Sequence, residues 1–173
     1  MPRVHFVKSA RKANPVAQPG QSYYWWKFRH GGKRYSLKYP RPSMLTQSEY
    51  LSTLRSLVEQ VQDFDVEKDG GADNFEALRD EIVSAVCDLR DMQQDNLDNM
   101  PESLQSSPTG ELLQERIDAL DSAESEIENL DVESIDRADF DDDEEWEAAC
   151  EEQRETIESH ISEMEDYLSC ADL

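Results

Sequence analysis

Ser22-Tyr23-Tyr24-Trp25-Trp26-Lys27-Phe28-Arg29-His30-Gly31-Gly32-Lys33-Arg34-Tyr35-Ser36-Leu37-Lys38-Tyr39 is the stretch on which the fold turns. Strand-favouring aromatic side chains lie on both sides of Gly31-Gly32, and a glycine pair can take the positive-φ geometry of a two-residue hairpin turn. With that turn, Phe28 pairs with Tyr35, Trp26 with Leu37 and Tyr24 with Tyr39, which makes one face apolar. The opposite face then carries Tyr23, Trp25, Lys27 and Arg29 across from Arg34, Ser36 and Lys38. A slip of one residue would bury the cations, so the alternation sets the register. An isolated hairpin is marginally stable in water, and Val4-His5-Phe6-Val7 offers a third strand. Between them Ala10 to Gln21, with its prolines and glycine, reads as a loop.

Downstream the period changes from two to that of helices. Pro40-Arg41-Pro42 ends the sheet, and Thr46-Gln47-Ser48-Glu49 reads as a capping box with Thr46 as N-cap. Tyr50, Leu54, Leu57, Val61 and Phe64 then form a helical stripe, widened by Leu51 and Val58, that Gly70-Gly71 breaks. A second helix from about Asp73 presents Phe75, Leu78, Ile82, Val86, Leu89 and Met92. After Pro101 and Ser106-Ser107-Pro108, a third presents Leu113, Ile117, Leu120, Ile127 and Leu130. A fourth, from about Asp143, presents Trp146, Cys150, Ile157, Ile161, Met164 and Leu168. These stripes are narrow and flanked by acids, a pattern suited to antiparallel bundle or coiled-coil packing. The predicted class is α+β: a small antiparallel sheet (hairpin 22–39, third strand 4–7) followed by an acidic helical hairpin or bundle. The division is a basic aromatic module over 1–45 and an acidic helical region over 46–173.

Charge separates the two parts more sharply than any motif. Residues 1–48 contain ten Lys/Arg and no acid, whereas 49–173 contain seven Lys/Arg and all forty acids, a net of −33. Opposite charges give the two parts different natural partners. No stretch approaches the ~20 apolar residues that span a bilayer, and the N-terminus lacks the apolar core of a secretory signal. Cys87, Cys150 and Cys170 are odd in number and widely spaced, which suits free thiols in a reducing compartment. A cytoplasmic protein without membrane partners is the expectation; a homo-oligomer is left open.

Cations and exposed aromatics on one sheet face suit nucleic acid, since Lys and Arg meet phosphates while Trp or Tyr stacks on bases. In the predicted register Arg29 faces Arg34, which is unfavourable unless an anion lies near. The competing reading docks this face on the protein's own acidic helices. From Asp139 to Asp166, fourteen of 28 residues are acids against one base, Arg154. As a helix this gives one carboxylate per ~3 Å, near the ~3.4 Å phosphate spacing of a DNA strand. Glu144, Glu151, Glu155 and Glu158 lie away from the apolar stripe and would meet a basic protein surface; the alternative is a solvated face.

Asp65-Val66-Glu67-Lys68-Asp69-Gly70-Gly71-Ala72-Asp73-Asn74-Phe75-Glu76 follows the calcium-loop pattern, with Asp65, Glu67, Asp69, Asp73 and Glu76 as oxygen ligands and Gly70 at the sixth position. Glu67 in third place and Ala72 in eighth depart from it, and no second loop pairs with it. The alternative is an Asp-capped helix–helix turn. Catalysis lacks a matching constellation: His5, His30 and His160 have no nucleophile at a telling spacing. Cys150 and His160 stand ~15 Å apart along one helix, too far to share a zinc ion. No enzyme and no cofactor is expected.

Two of these segments, Ser22–Ser36 and Ser107–Leu120 (Ser-Pro-Thr-Gly-Glu-Leu-Leu-Gln-Glu-Arg-Ile-Asp-Ala-Leu from Ser107), resemble small phage or prophage proteins without an assigned activity. The hairpin also resembles the N-terminal arm-type DNA-binding domains of phage integrases, which place an aromatic, basic sheet ahead of a helix. That resemblance covers about residues 20–60 and implies DNA binding alone, because no integrase catalytic region follows. A phage origin implies the host cytoplasm as location. The first reading is thus a nucleic-acid-associated interaction protein whose acidic helices bind a basic protein. Its alternatives are a phage-type DNA mimic that inhibits a host DNA-binding or defence protein, and a calcium-dependent helix-pair switch.

Overall fold

Three extended segments near the N-terminus pair as an antiparallel sheet in the order β1 (His5–Val7), β2 (Tyr23–Lys27), β3 (Lys33–Ser36). The computed structural model describes residues 1–173, the side chain of Asp69 excepted. The third strand solves the stability problem of a lone hairpin: β1 covers the free edge of β2, with His5 opposite Trp25 and Val7 opposite Tyr23. The connection between β1 and β2 is an ordered loop. Asn14 Oδ1 accepts from the Val16 and Ala17 amides, and the Ala10 N–H donates to the Gln21 carbonyl.

The hairpin register differs from the predicted one by three residues. Trp26 stands opposite Arg34, Trp25 opposite Tyr35, and Lys27 opposite Lys33. The connection is therefore Phe28 to Gly32, five residues rather than two. Its first turn closes with the Gly31 N–H donating to the Phe28 carbonyl at 3.3 Å. Neither Gly31 nor Gly32 takes positive φ; only Gly20 and Gly71 do. A Cβ at Gly31 would lie 3.3 Å from Gln47 Nε2, the mobile end of an exposed side chain. An odd shift of register exchanges the faces of β3. Leu37 and Tyr39 consequently fall outside the ladder and are exposed, although the Tyr39 ring still meets Tyr24 edge-on at 5.6 Å.

After a 3-10 turn (Pro42–Leu45), helix α1 spans Glu49–Gln62. Its N-cap is Ser48, not Thr46: the Ser48 Oγ accepts from the Leu51 amide, and the Ser48 carbonyl accepts from Ser52. Thr46 Oγ1 accepts from the Ser48 amide two residues on. Both hydroxyls can cap, and the one three residues before a helical N–H has the better reach. Tyr50, Leu54, Leu57 and Val61 are buried, as the stripe requires.

The structure comprises two compact units, Met1–Ser56 and Leu57–Leu173, with α1 running through the division. The second is a helical bundle. A short helix α2 (Val66–Asp69) precedes α3 (Ala72–Asp98), α4 (Glu102–Gln105), α5 (Pro108–Glu128) and α6 (Asp143–Cys170). Helix α5 starts where Ser107 Oγ accepts from the Gly110 amide, with Pro108 in the first helical position, where a missing N–H costs nothing.

Helices α3 and α5 pack antiparallel. Arg79 donates to the Leu130 carbonyl, while eleven residues further on Arg90 reaches back to Asp121 and Glu124. Phe75, Ile82, Val86 and Leu89 meet a seam that includes Leu120, Ala123 and Ile127 in the buried layer. The closing helix α6 returns antiparallel to α5, tied by Arg116 to the Leu173 carbonyl and by His160 to the Asp131 carbonyl. It buries Ile157, Met164 and Leu168. Trp146 and Cys150 are only half-buried, because near its start α6 meets the 131–140 segment rather than a full helix; Trp146 packs edge-on against Phe140, and Ile161, further along, is half-buried too. No helix among the described residues is long and apolar enough to cross a membrane.

Candidate nucleic-acid interface

The N-terminal unit carries eleven Lys/Arg and one acid, Glu49. Strand alternation gathers His5, Tyr23, Trp25, Lys27, Lys33 and Tyr35 on one face of the sheet. Trp25 is its centre. His5 stacks on it with centroids 4.3 Å apart and planes 10° from parallel. Lys33 Nζ stands 4.4 Å from the indole centroid, a cation–π distance. Tyr23 and Tyr35 lie beside it, their rings 6.1 Å apart. Trp25, Tyr23 and Tyr35 are half-buried.

Two cations close the array. Lys27 and Lys33 are direct cross-strand partners, an arrangement disfavoured by like-charge repulsion unless an anion is shared. This pair replaces the predicted opposition of Arg29 and Arg34. Arg29 is exposed in the hairpin loop, and Arg34 belongs to the other face, beside Trp26. Lys38 is exposed beyond the end of β3. Of the predicted contact residues, the structure thus brings together Tyr23, Trp25 and Lys27 and separates Arg29, Arg34 and Lys38 from them. Sequence reasoning missed His5, Lys33 and Tyr35; the first follows from the antiparallel pairing of 4–7, and the other two follow once the loop is five residues long.

In the second unit, Glu144, Glu151, Glu155 and Glu158 are all exposed on α6. At ~100° per residue they fall within about 60° of arc, well away from Ile157, Met164 and Leu168. Arg154 reaches Glu151 at 3.5 Å. The α6 N-terminus is capped by Asp142, which accepts from the Glu145 amide at 2.8 Å, and Asp143, Glu144 and Glu145 fill its first turn, where the helix dipole favours negative charge. Further along, the Tyr167 phenol is held above its ordinary pKa by desolvation and then by Glu126, Glu163 and Asp166.

The calcium-loop segment has another geometry. Asp65 Oδ1 caps α2, accepting from the Glu67 and Lys68 amides, and Ala72 to Glu76 are already the first residues of α3. Gly70 is required because a Cβ would collide with the Val66 carbonyl, and Gly71 because its φ is +140°. Glu67 and Asp73 are exposed and Glu76 half-buried; the Asp69 side chain lies outside the described residues. Among the described residues no three His, Cys, Asp or Glu side chains converge as a metal site. Isothermal titration with calcium is expected to give no binding tighter than about millimolar, the weak end of loop-type sites. A micromolar site abolished by Glu76→Gln would contradict that assignment. His160 is engaged with Glu163 and Asp131, with its ring 5.7 Å from Phe75, and Cys87, Cys150 and Cys170 are free thiols.

No protein family, curated protein or solved structure matches this chain.

Proposed function

We propose that the protein is a non-enzymatic interaction protein whose N-terminal sheet face contacts nucleic acid and whose acidic helices bind a basic protein surface. The observation that carries the first half is the opposition of Lys27 and Lys33 beside the His5–Trp25 stack. Two exposed lysines are cross-strand partners, and one holds its ammonium over the half-buried Trp25 ring. A phosphate near the lysines relieves their repulsion, and a base reaching the ring gains stacking. Fluorescence anisotropy of the full-length protein with labelled single-stranded and duplex oligonucleotides at low salt tests it. Saturable binding lost in Trp25→Ala is expected, with ~1–3 kcal/mol attached to the stacked base; failure of the intact protein to bind either form rejects the reading.

A second reading, a DNA mimic that occupies a basic protein's DNA site, is favoured by the single exposed face that Glu144, Glu151, Glu155 and Glu158 share on α6. Changing all four to Gln keeps helix propensity nearly constant and removes like-charge repulsion, so the free protein should be as stable or slightly more so. A basic partner captured by the wild type should lose affinity for the variant and regain DNA binding in competition. That loss should shrink as salt rises. Equal affinity for both forms would reduce the row to a solvated face.

A further inference from the structure

The N-terminal unit also contains a pocket of about 600 Å³, within the range of small-molecule sites. Strand β2 and the hairpin loop contribute Trp26 and Phe28, β3 contributes Arg34 and Tyr35, and the 43–56 segment contributes chiefly hydroxyl and amide groups, Gln47 among them, with Glu49 as its one carboxylate. Trp26 is 1% exposed, and its Nε1 donor is buried without an acceptor. A buried donor left unpaired is costly, and such groups ask for an explanation. The Gln47 amide lies near Gly31 of the hairpin loop, its Nε2 3.3 Å from where a Cβ on that glycine would stand.

We propose that this pocket holds one unstacked base of a single-stranded nucleic acid, an inference that rests on nucleic-acid binding by the sheet. The lining chemistry fits a base better than a lone phosphate. It offers aromatic walls that include Trp26 and Phe28, a cation in Arg34, a carboxylate acceptor in Glu49, and both donor and acceptor functions in Gln47. A phosphate presents acceptors only and is repelled by Glu49, whereas a base edge presents donors and acceptors together. Glu49 accepts from exocyclic amino groups, so adenine, cytosine and guanine, which carry one, are preferred over thymine, which does not. Strand β3 is an edge of the sheet. Lys33 lies on the stacking face and Arg34 on the pocket side, with Tyr35 bordering both, so one strand crossing that edge meets a cation on either side. A duplex keeps its bases paired and cannot supply one without paying to unstack it.

The test titrates ¹⁵N-labelled full-length protein with adenosine and thymidine deoxyhexamers and with a duplex of equal length. The Trp26 indole resonance, assigned by its loss in Trp26→Phe, should shift with the single strands and not with the duplex, and the adenosine hexamer should bind more tightly. Arg34→Gln combined with Gln47→Ala, both at exposed positions, should lower single-strand affinity about tenfold and duplex affinity far less. Ser56→Tyr, which adds bulk at an exposed position of the wall, should do the same without removing a charge. An unmoved Trp26 resonance in a saturated complex, or unchanged single-strand affinity in both variants, overturns the pocket while leaving the sheet face intact. A wild-type protein that binds none of the three overturns both.

Discussion

Trp26→Ala is expected to destabilise the N-terminal unit by about 3–5 kcal/mol, the range for removing a buried large aromatic side chain. Trp26 is the largest of the fully buried side chains and sits in the central strand of the sheet. Its truncation leaves a cavity that a three-stranded sheet with short strands has few side chains to fill. Because Nε1 makes no hydrogen bond, no polar partner is orphaned, and the loss is one of packing and apolar burial alone. Trp26→Phe should therefore cost much less, since most of the apolar surface is kept and an unpaired buried donor is removed. Urea unfolding followed by near-ultraviolet circular dichroism measures both, with comparison of midpoints at matched slope. A Trp26→Ala loss below about 1 kcal/mol would mean that the indole is not part of the packed interior.

The second large effect concerns charge. Replacing Lys27, Arg29, Lys33 and Lys38 together with Gln should lower affinity for nucleic acid by about 100-fold at ~50 mM salt, because each contacted phosphate releases condensed counterions. The fold should survive. All four side chains are exposed, and the substitution ends the repulsion between Lys27 and Lys33. Loss of the folded sheet in this variant would assign these residues to structure rather than to binding.

How legible these features are in the sequence depends on whether the signal is local and periodic. Helices α3, α5 and α6 are read well. Phe75, Leu78, Ile82, Val86 and Leu89 repeat at three and four residues, and Gly70-Gly71, Pro101 and Ser107-Pro108 punctuate them with known chemistry. The existence of the three-stranded sheet is equally plain. Its register is not, because Tyr23-Tyr24-Trp25-Trp26 is aromatic at every position and therefore apolar on both faces. Alternation carries no information there, and Gly31-Gly32 can end a five-residue loop as readily as it can form a two-residue one. The three-residue error then exchanged Arg34 with Lys33 and Tyr35 across the sheet. The helix cap was ambiguous for a similar reason, since Thr46 and Ser48 both offer a hydroxyl ahead of Glu49. The pocket is invisible to any local reading. It arises where the hairpin loop meets the 43–56 segment, and nothing in either stretch alone predicts the meeting.

Salt dependence provides the most direct test of the claim that the sheet face binds nucleic acid. The acidic unit carries a net charge of −33, and its repulsion of a polyanion is itself screened by salt, so the absolute slope of log affinity against log salt mixes two effects. The difference between wild type and the four-Gln variant isolates the sheet, because both forms share the same acidic helices. For duplex DNA each phosphate contact contributes about −0.9 to the slope. The slope of the wild type should therefore be more negative than that of the variant by at least about 2, the share of Lys27 and Lys33 on the sheet face, with the two affinities converging at high salt. Equal slopes and equal affinities across the salt range would contradict the account.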